Sequence, residues 1–146
     1  MPRIKLTEQL VYEFYCPITV RVTDLNYGGH LGNDTLVSYL HQARADIFRN
    51  LGYGELDLGD GQTGIIMADL CVNFVTEGFM FDEIALDSHI ADVNQKSLRI
   101  FHRLRKRQEL VALAETGILA FHYPTRQTVP WPKAFLQAIT EYQAKF

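Results

Sequence analysis

One stretch of this chain concentrates residues that can do chemistry. Between Asp24 and Asp34 lie two carboxylates (Asp24, Asp34), two carboxamides (Asn26, Asn33) and the imidazole of His30. Gly28, Gly29 and Gly32 interleave them, and glycine lets a ligand come close to the backbone. A helix starting here leaves its first-turn N–H groups without intrahelical partners, at the positive end of the helix dipole. Such donors can hold a carbonyl oxygen as negative charge develops on it. A carboxylate, amide or imidazole beside them can orient water for attack on an ester or thioester. The same residue types also build Asx-rich turns that only cap helices, so pattern alone leaves both readings open.

Elsewhere the chemical signals are weaker. His41, His89, His102 and His122 show no metal-ligand spacing of the His-Glu-x-x-His kind. No metal is expected. Cys16 and Cys71 lie in apolar, strand-like stretches and read as buried free thiols of a reducing compartment. There is no Gly-x-Ser-x-Gly elbow, which argues against a serine nucleophile. Arg99, Arg103, Arg105, Lys106 and Arg107 crowd one strand end. They read either as a solvated edge or as an anchor for the phosphates of a carrier such as coenzyme A. Gly52 to Gly64 holds five of the ten glycines together with Glu55, Asp57 and Asp60. It reads as a mobile loop, without the EF-hand ligand order.

The elements that would position the 24–34 segment follow from periodicity. Leu10 to Thr23 alternates with period two and reads as a strand, with Pro17 marking a bulge or an edge. Leu36, Tyr39, Leu40, Ala43, Ile47, Phe48 and Leu51 recur at helical spacing and predict a helix over 34–51. Asn33 or Asp34 is its expected N-cap and Gly52 its C′ residue. Four strands follow, at Gly64 to Thr76, Phe81 to Val93, Leu98 to Arg105 and Leu110 to His122. The first is apolar on both sides, as a central strand would be. A short helix over 133–144 closes the chain. Four consecutive strands make a meander, the first strand joins them, and the long helix buries its apolar face on the sheet. The expected class is α+β: an antiparallel sheet of about five strands wrapped around one long central helix.

Length and composition agree with one domain over 1–146. A chain of 146 residues with 47% hydrophobic and 21% charged residues is ordinary for a globular domain. A net charge of −3 without a basic block argues against nucleic acid as the partner. No apolar run approaches the roughly 20 residues that span a bilayer, and Met1 to Leu10 has no signal-peptide pattern. No membrane association and a cytoplasmic location are expected.

The run Val20-Arg-Val-Thr-Asp-Leu-Asn-Tyr-Gly-Gly-His-Leu-Gly-Asn-Asp34, followed by Tyr39, Leu40, Ala43 and Arg44, resembles the hot-dog-fold thioesterases. The likeness is to the 4-hydroxybenzoyl-CoA thioesterase-like branch. Val72-Asn73-Phe74 to Asp82-Glu83 and the Pro130-Trp131-Pro132 ending look like later parts of the same pattern. The resemblance implies the hot-dog fold, an acyl-CoA substrate, no cofactor, and homodimers that often pair into tetramers, with sites at the subunit interface. In that branch the motif's second aspartate is the catalytic carboxylate, and here that position is Asn26. A glutamate common before Ala-Arg on the helix is here Gln42. Plant acyl-carrier-protein thioesterases share the Asn-His character of this loop. The expected site therefore has Asp24, Asn26, His30 and Asn33 as catalytic residues. Backbone N–H groups near Gly32 and Asn33 would polarise the carbonyl. Asn26 and His30 would position water, Asp24 would support them or act as base, and Asp34 would be a reserve base. Gly29, Gly32, Asp34, Tyr39 and Met67 are expected to bind substrate, with the acyl chain along the helix–sheet crevice near Tyr39 and Met67. The competing expectation is an acyl-CoA or acyl-carrier binding protein that has lost the chemistry. A hot-dog dehydratase is disfavoured, because its His-Phe-Pro-Gly-type loop is absent.

Overall fold

The structure, a computed structural model, describes residues 3–146. In chain order the elements are β1 (Phe14–Thr19), a 3-10 turn (Val22–Asp24), α1 (Asn33–Asn50) and β2 (Thr63–Phe74). Then come β3 (Glu83–Ala91), β4 (Ser97–Lys106), β5 (Glu109–His122), the two-residue β6 (Gln127–Thr128) and α2 (Lys133–Gln143). The strands form one antiparallel sheet in the order β1-β3-β4-β5-β2, with β6 added to β5. This is the α+β architecture expected from the sequence.

α1 exists because its apolar stripe has a sheet to lie on. Leu36, Tyr39, Leu40 and Ala43 pack with Leu86, Leu104, Ala112 and Ala114. One turn further, Ile47 and Phe48 pack with Leu98, Ile100, Ile118 and Ala120. Burying each such Leu, Ile or Phe is worth about 1.5–3 kcal/mol. α2 closes that second half of the core: the Phe135 ring stacks on Phe48 at 5.5 Å, beside Trp131. The expected helix end holds, with Leu51 as C-cap and Gly52 at φ +90°.

Four expectations need correction. The first strand is shorter than 10–23, because Val20 leaves the ladder to pair with the loop before β3. Its N–H donates to the Asp82 carbonyl, and its own carbonyl accepts from Phe81. The residues before β1 instead run over the outer sheet face, tied by Leu6 to Asn73 and by Glu8 to Arg103. β2 is an edge strand and not a central one; its apolar character on both faces does not come from a strand on either side. The meander is therefore β3-β4-β5, with β2 reaching across to β5. The Gly52–Gly64 loop is fastened and not free. Leu58 is buried, Glu55 receives Arg44, and Asp57 and Asp60 accept N–H groups from Gly59, Gly61, Gln62 and Thr63. The Thr63 hydroxyl, and after it the Thr63 and Gln62 N–H groups, hold Asp60 down at a pKa of about 2.

Candidate active site

The segment from Asp24 to Asn33 folds into a tight hairpin leading into α1. Leu25 bridges Leu31, the Asn26 N–H donates to the His30 carbonyl, and the Gly29 N–H donates to the Asn26 carbonyl. Gly29 sits at φ +79°, a region that disfavours side chains. The Asn26 side-chain oxygen accepts the Gly28 N–H at 2.8 Å. Asn26 thus fixes its own turn through its oxygen and keeps its NH2 for other partners. Tyr27, at the tip, is fully exposed.

Asp24 lies behind this hairpin. It is 3% exposed, and its carboxylate accepts from the Tyr39 hydroxyl at 2.7 Å, the Arg21 N–H at 2.9 Å and the Arg21 guanidinium. Burial pushes its pKa up, but Tyr39 and Arg21 outweigh this and hold it below the ordinary value. Burial, and after it the same contact, raises the pKa of Tyr39. The Asp24 carbonyl accepts the Gly32 N–H at 3.1 Å. Asp24 is thus buried against Tyr39 and Arg21, whereas Asn26, two residues on, is only partly buried.

The start of α1 also differs from expectation. The N-cap is Gly32, and no side chain caps the helix. Asp34 folds back so that its Oδ1 lies 2.6 Å from where a Cβ on residue 32 would sit; a larger residue there would have to displace that carboxylate. The Gly32 N–H is taken by Asp24, so it cannot polarise a substrate. The first-turn N–H groups of Asn33, Asp34 and Thr35 have no intrahelical partner.

A cleft of about 770 Å³ opens at this helix end. Asn26, Tyr27, His30, Asn33 and Asp34 form one wall. Thr76, Glu77 and Gly78 face them, with Leu31, Leu36, Phe74, Val75 and Val111 as apolar lining. The two walls are joined by the Leu31 N–H, which donates to the Gly78 carbonyl at 2.7 Å. His30 Nδ1 lies 3.4 Å from the Leu31 carbonyl, and its Nε2 lies 3.7 Å from Glu77 Oε1.

The structure thus brings Asn26, His30, Asn33 and Asp34 to one cleft, with Gly29 and Gly32 shaping the backbone between them. Asp24 and Tyr39 sit behind the cleft wall, bonded to each other. Met67 lies on the β2 edge and is not part of the lining. Glu77 carried no sequence signal. It is a lone glutamate in a loop, and only the fold sets it opposite His30.

Other candidate sites dissolve. Arg99 is paired with Asp69 and Glu115, Arg103 with Glu8 and Asp87, Arg105 with Asp87, and Lys106 with Asp82. Of the five cations, four are paired with carboxylates, as a solvated strand edge would be. A larger depression of about 970 Å³ lies along β1 and β3 near Lys106 and Arg107. It holds neither histidine nor a free helix end. Cys16 and Cys71 are free; Cys16 is buried beside Asp46, and burial with that contact pushes its thiol up to about 12. Among the described residues, no group of three or more His, Cys, Asp or Glu could hold a metal ion. No described helix is long and apolar enough to cross a membrane.

Comparison with known proteins gives a consistent picture. Residues 20–139 match the family model described as a thioesterase-like superfamily. No curated protein matches the chain. A 1,4-dihydroxy-2-naphthoyl-CoA thioesterase from Synechocystis superposes with a TM-score of 0.80 at 15% identity, covering 88% of this chain and 96% of that one. A hypothetical protein from Staphylococcus aureus, solved in complex with CoA, gives 0.83 at 16% identity, over 94% and 89%. A gentisyl-coenzyme A thioesterase gives 0.77 at 16% identity, over 86% and 98%.

Proposed function

The chain belongs to the thioesterase-like superfamily and has the fold of thioester hydrolases; from that premise we propose that it cleaves acyl thioesters of coenzyme A in the cleft at the start of α1. One observation carries the reading: Asn26 and His30 stand beside first-turn N–H groups of α1 in a cleft whose lining is in part apolar. The thioester carbonyl would point at the Asn33 and Asp34 N–H groups, which stabilise the oxyanion as it forms. Asn26, through its free NH2, and His30 would hold the attacking water. An amide cannot take a proton from that water, so the proton must pass to another group on the cleft wall. Asp24 would act from behind, fixing the hairpin by its bonds to Tyr39 and Arg21. Water attacks the carbonyl carbon, the tetrahedral intermediate collapses, the C–S bond breaks, and a carboxylic acid and CoA leave.

The acyl group would lie against Leu31, Leu36, Phe74, Val75 and Val111 rather than near Met67. Two structural neighbours are named for aromatic acyl-CoA substrates, so aromatic thioesters belong in the test beside aliphatic ones. The test is thiol release from short, medium, long and aromatic acyl-CoAs. Turnover by the native protein, lost in Asn26→Ala and His30→Ala, is the expected result. Saturable acyl-CoA binding without release would favour the binding-protein reading, which the amide at position 26 keeps in view.

The working unit would be a homodimer joined along β2. This strand is twelve residues long and carries Asp69 as its only charge, and beyond Ile65, whose N–H donates to the Glu55 carbonyl, its outer edge pairs with no other strand. An exposed apolar strand edge templates pairing with another chain. A dimer in sedimentation, converted to monomer by Met67→Arg, is the expected outcome; an unchanged dimer would place the interface elsewhere.

A further inference from the structure

The cleft has a proton to place and, at Asn26, no carboxylate to take it. Two carboxylates line the cleft, Asp34 and Glu77. Asp34 is folded back over Gly32, against its own loop. Glu77 is directed the other way: its Oε1 lies 3.7 Å from His30 Nε2, across the cleft. That separation is too long for a direct hydrogen bond. It is short enough for one water molecule to touch both groups, the usual explanation to consider at such a distance.

The loop holding Glu77 is firmly placed. Lys106 Nζ donates to the Glu77 carbonyl at 2.8 Å, and the Gly78 carbonyl accepts the Leu31 N–H at 2.7 Å. The Thr76 N–H donates to the Val111 carbonyl. The backbone is therefore fixed from two strands and from the hairpin, while the carboxylate itself is 62% exposed and makes no hydrogen bond to the protein among the described residues. A held backbone with an uncommitted carboxylate is what a general base needs.

We propose that Glu77 is the catalytic base of this cleft, doing from the β2–β3 loop what a carboxylate at position 26 would otherwise do. The inference rests on the thioesterase reading above. The water sits between Glu77 and His30, and its oxygen attacks the thioester carbon. Its proton passes to the Glu77 carboxylate while the carbonyl electrons move to the oxygen held at the α1 N-terminus. When that oxyanion collapses, the C–S bond breaks, and the departing thiolate takes the proton from Glu77. The base is regenerated, and water has been divided between acid and thiol with no other reactant.

The test is steady-state kinetics on the best acyl-CoA of the panel. Because Glu77 is exposed, Glu77→Gln should fold as the native protein does. Its kcat should fall by roughly a hundredfold or more, the ordinary scale for a lost general base, with KM nearly unchanged. Adding Asn26→Asp to that variant should restore a substantial part of kcat, since it returns a carboxylate to the opposite wall. A merely structural role for Glu77 would not be rescued in this way. Native-like kcat in Glu77→Gln, or a loss confined to KM, overturns the inference and leaves the thioesterase reading standing. No release by the unsubstituted protein on any thioester overturns both.

Discussion

Two histidines of this chain sit about as differently as the fold allows. His30 lies on the cleft wall, partly exposed, with one nitrogen loosely placed at 3.4 Å from a carbonyl and the other facing Glu77 at 3.7 Å. His102 is 2% exposed on β4, under α1, with Nδ1 at 2.7 Å from the Ser88 hydroxyl on β3. Burial, and after it the positive charge of Arg44, pushes the His102 pKa down to about 3. Both are polar groups near the long helix. Only the one with an unfilled partner and an open path to solvent can take part in a reaction; the other holds two strands in register.

The largest effect should come from separating these roles. His30→Ala should lower kcat for thioester hydrolysis by about two orders of magnitude, since the attacking water loses a group that positions it. Its melting temperature should stay close to native, because the residue is partly exposed and weakly bonded. His102→Ala should do the reverse. It opens a cavity and leaves the buried Ser88 hydroxyl without its partner, costing about 2–5 kcal/mol by comparison with core truncations. Activity per folded molecule should persist. Calorimetry and initial rates on both proteins would show whether the two regions are as independent as their contacts suggest. A folded but inactive His102→Ala would break the comparison.

A smaller effect tests the same contrast through pH. His102 has an ordinary value of 6.5 when unfolded and about 3 when folded. Above pH 6.5 it is neutral in both states and contributes nothing to pH dependence. Below that, the unfolded chain binds a proton that the folded chain refuses until about pH 3. Stability therefore falls as pH drops through this window, by at most about 1.4 kcal/mol per pH unit from this group. His102→Gln should flatten that part of the curve. Urea midpoints at pH 7 and pH 5 that drop equally in the native protein and in this variant would remove His102 from the account.

The same contrast explains what could be read in advance. The helix was legible because Leu36, Tyr39, Leu40, Ala43, Ile47 and Phe48 share one face, and that spacing has one solution. The cleft hairpin was legible because Asp24 to Asp34 gathers polar groups and glycines locally. Strand order was not legible: β2 is apolar on both faces, and periodicity cannot distinguish a strand covered by neighbours from one left at the edge. Nor could the arginine pairings be seen, since Glu8 and Arg103 meet across 95 residues of sequence. Glu77 is the sharpest case. It reaches His30 only because the Leu31 N–H meets the Gly78 carbonyl, a contact between two loops that no local pattern encodes.

The smallest effect lies one strand from His102 and asks how completely the buried polar groups of this core are satisfied. Thr116 on β5 stands between Ile100 on β4 and Leu70 on β2. It is 1% exposed, and its hydroxyl is the one buried side-chain polar atom without a hydrogen-bond partner among the described residues. A buried hydroxyl without a partner costs folding free energy that a methyl group of similar size does not. Thr116→Val keeps the branched shape that suits a strand and removes that cost. The expected result is a gain of up to about 1 kcal/mol in unfolding free energy, with kcat unchanged, since the residue is remote from the cleft. A loss of stability would mean that the hydroxyl is satisfied after all, by a water enclosed beside Ile100 and Leu70. The polar groups under α1 would then form a hydrated network, and the contrast with the cleft would become one of access to solvent rather than of unfilled partners.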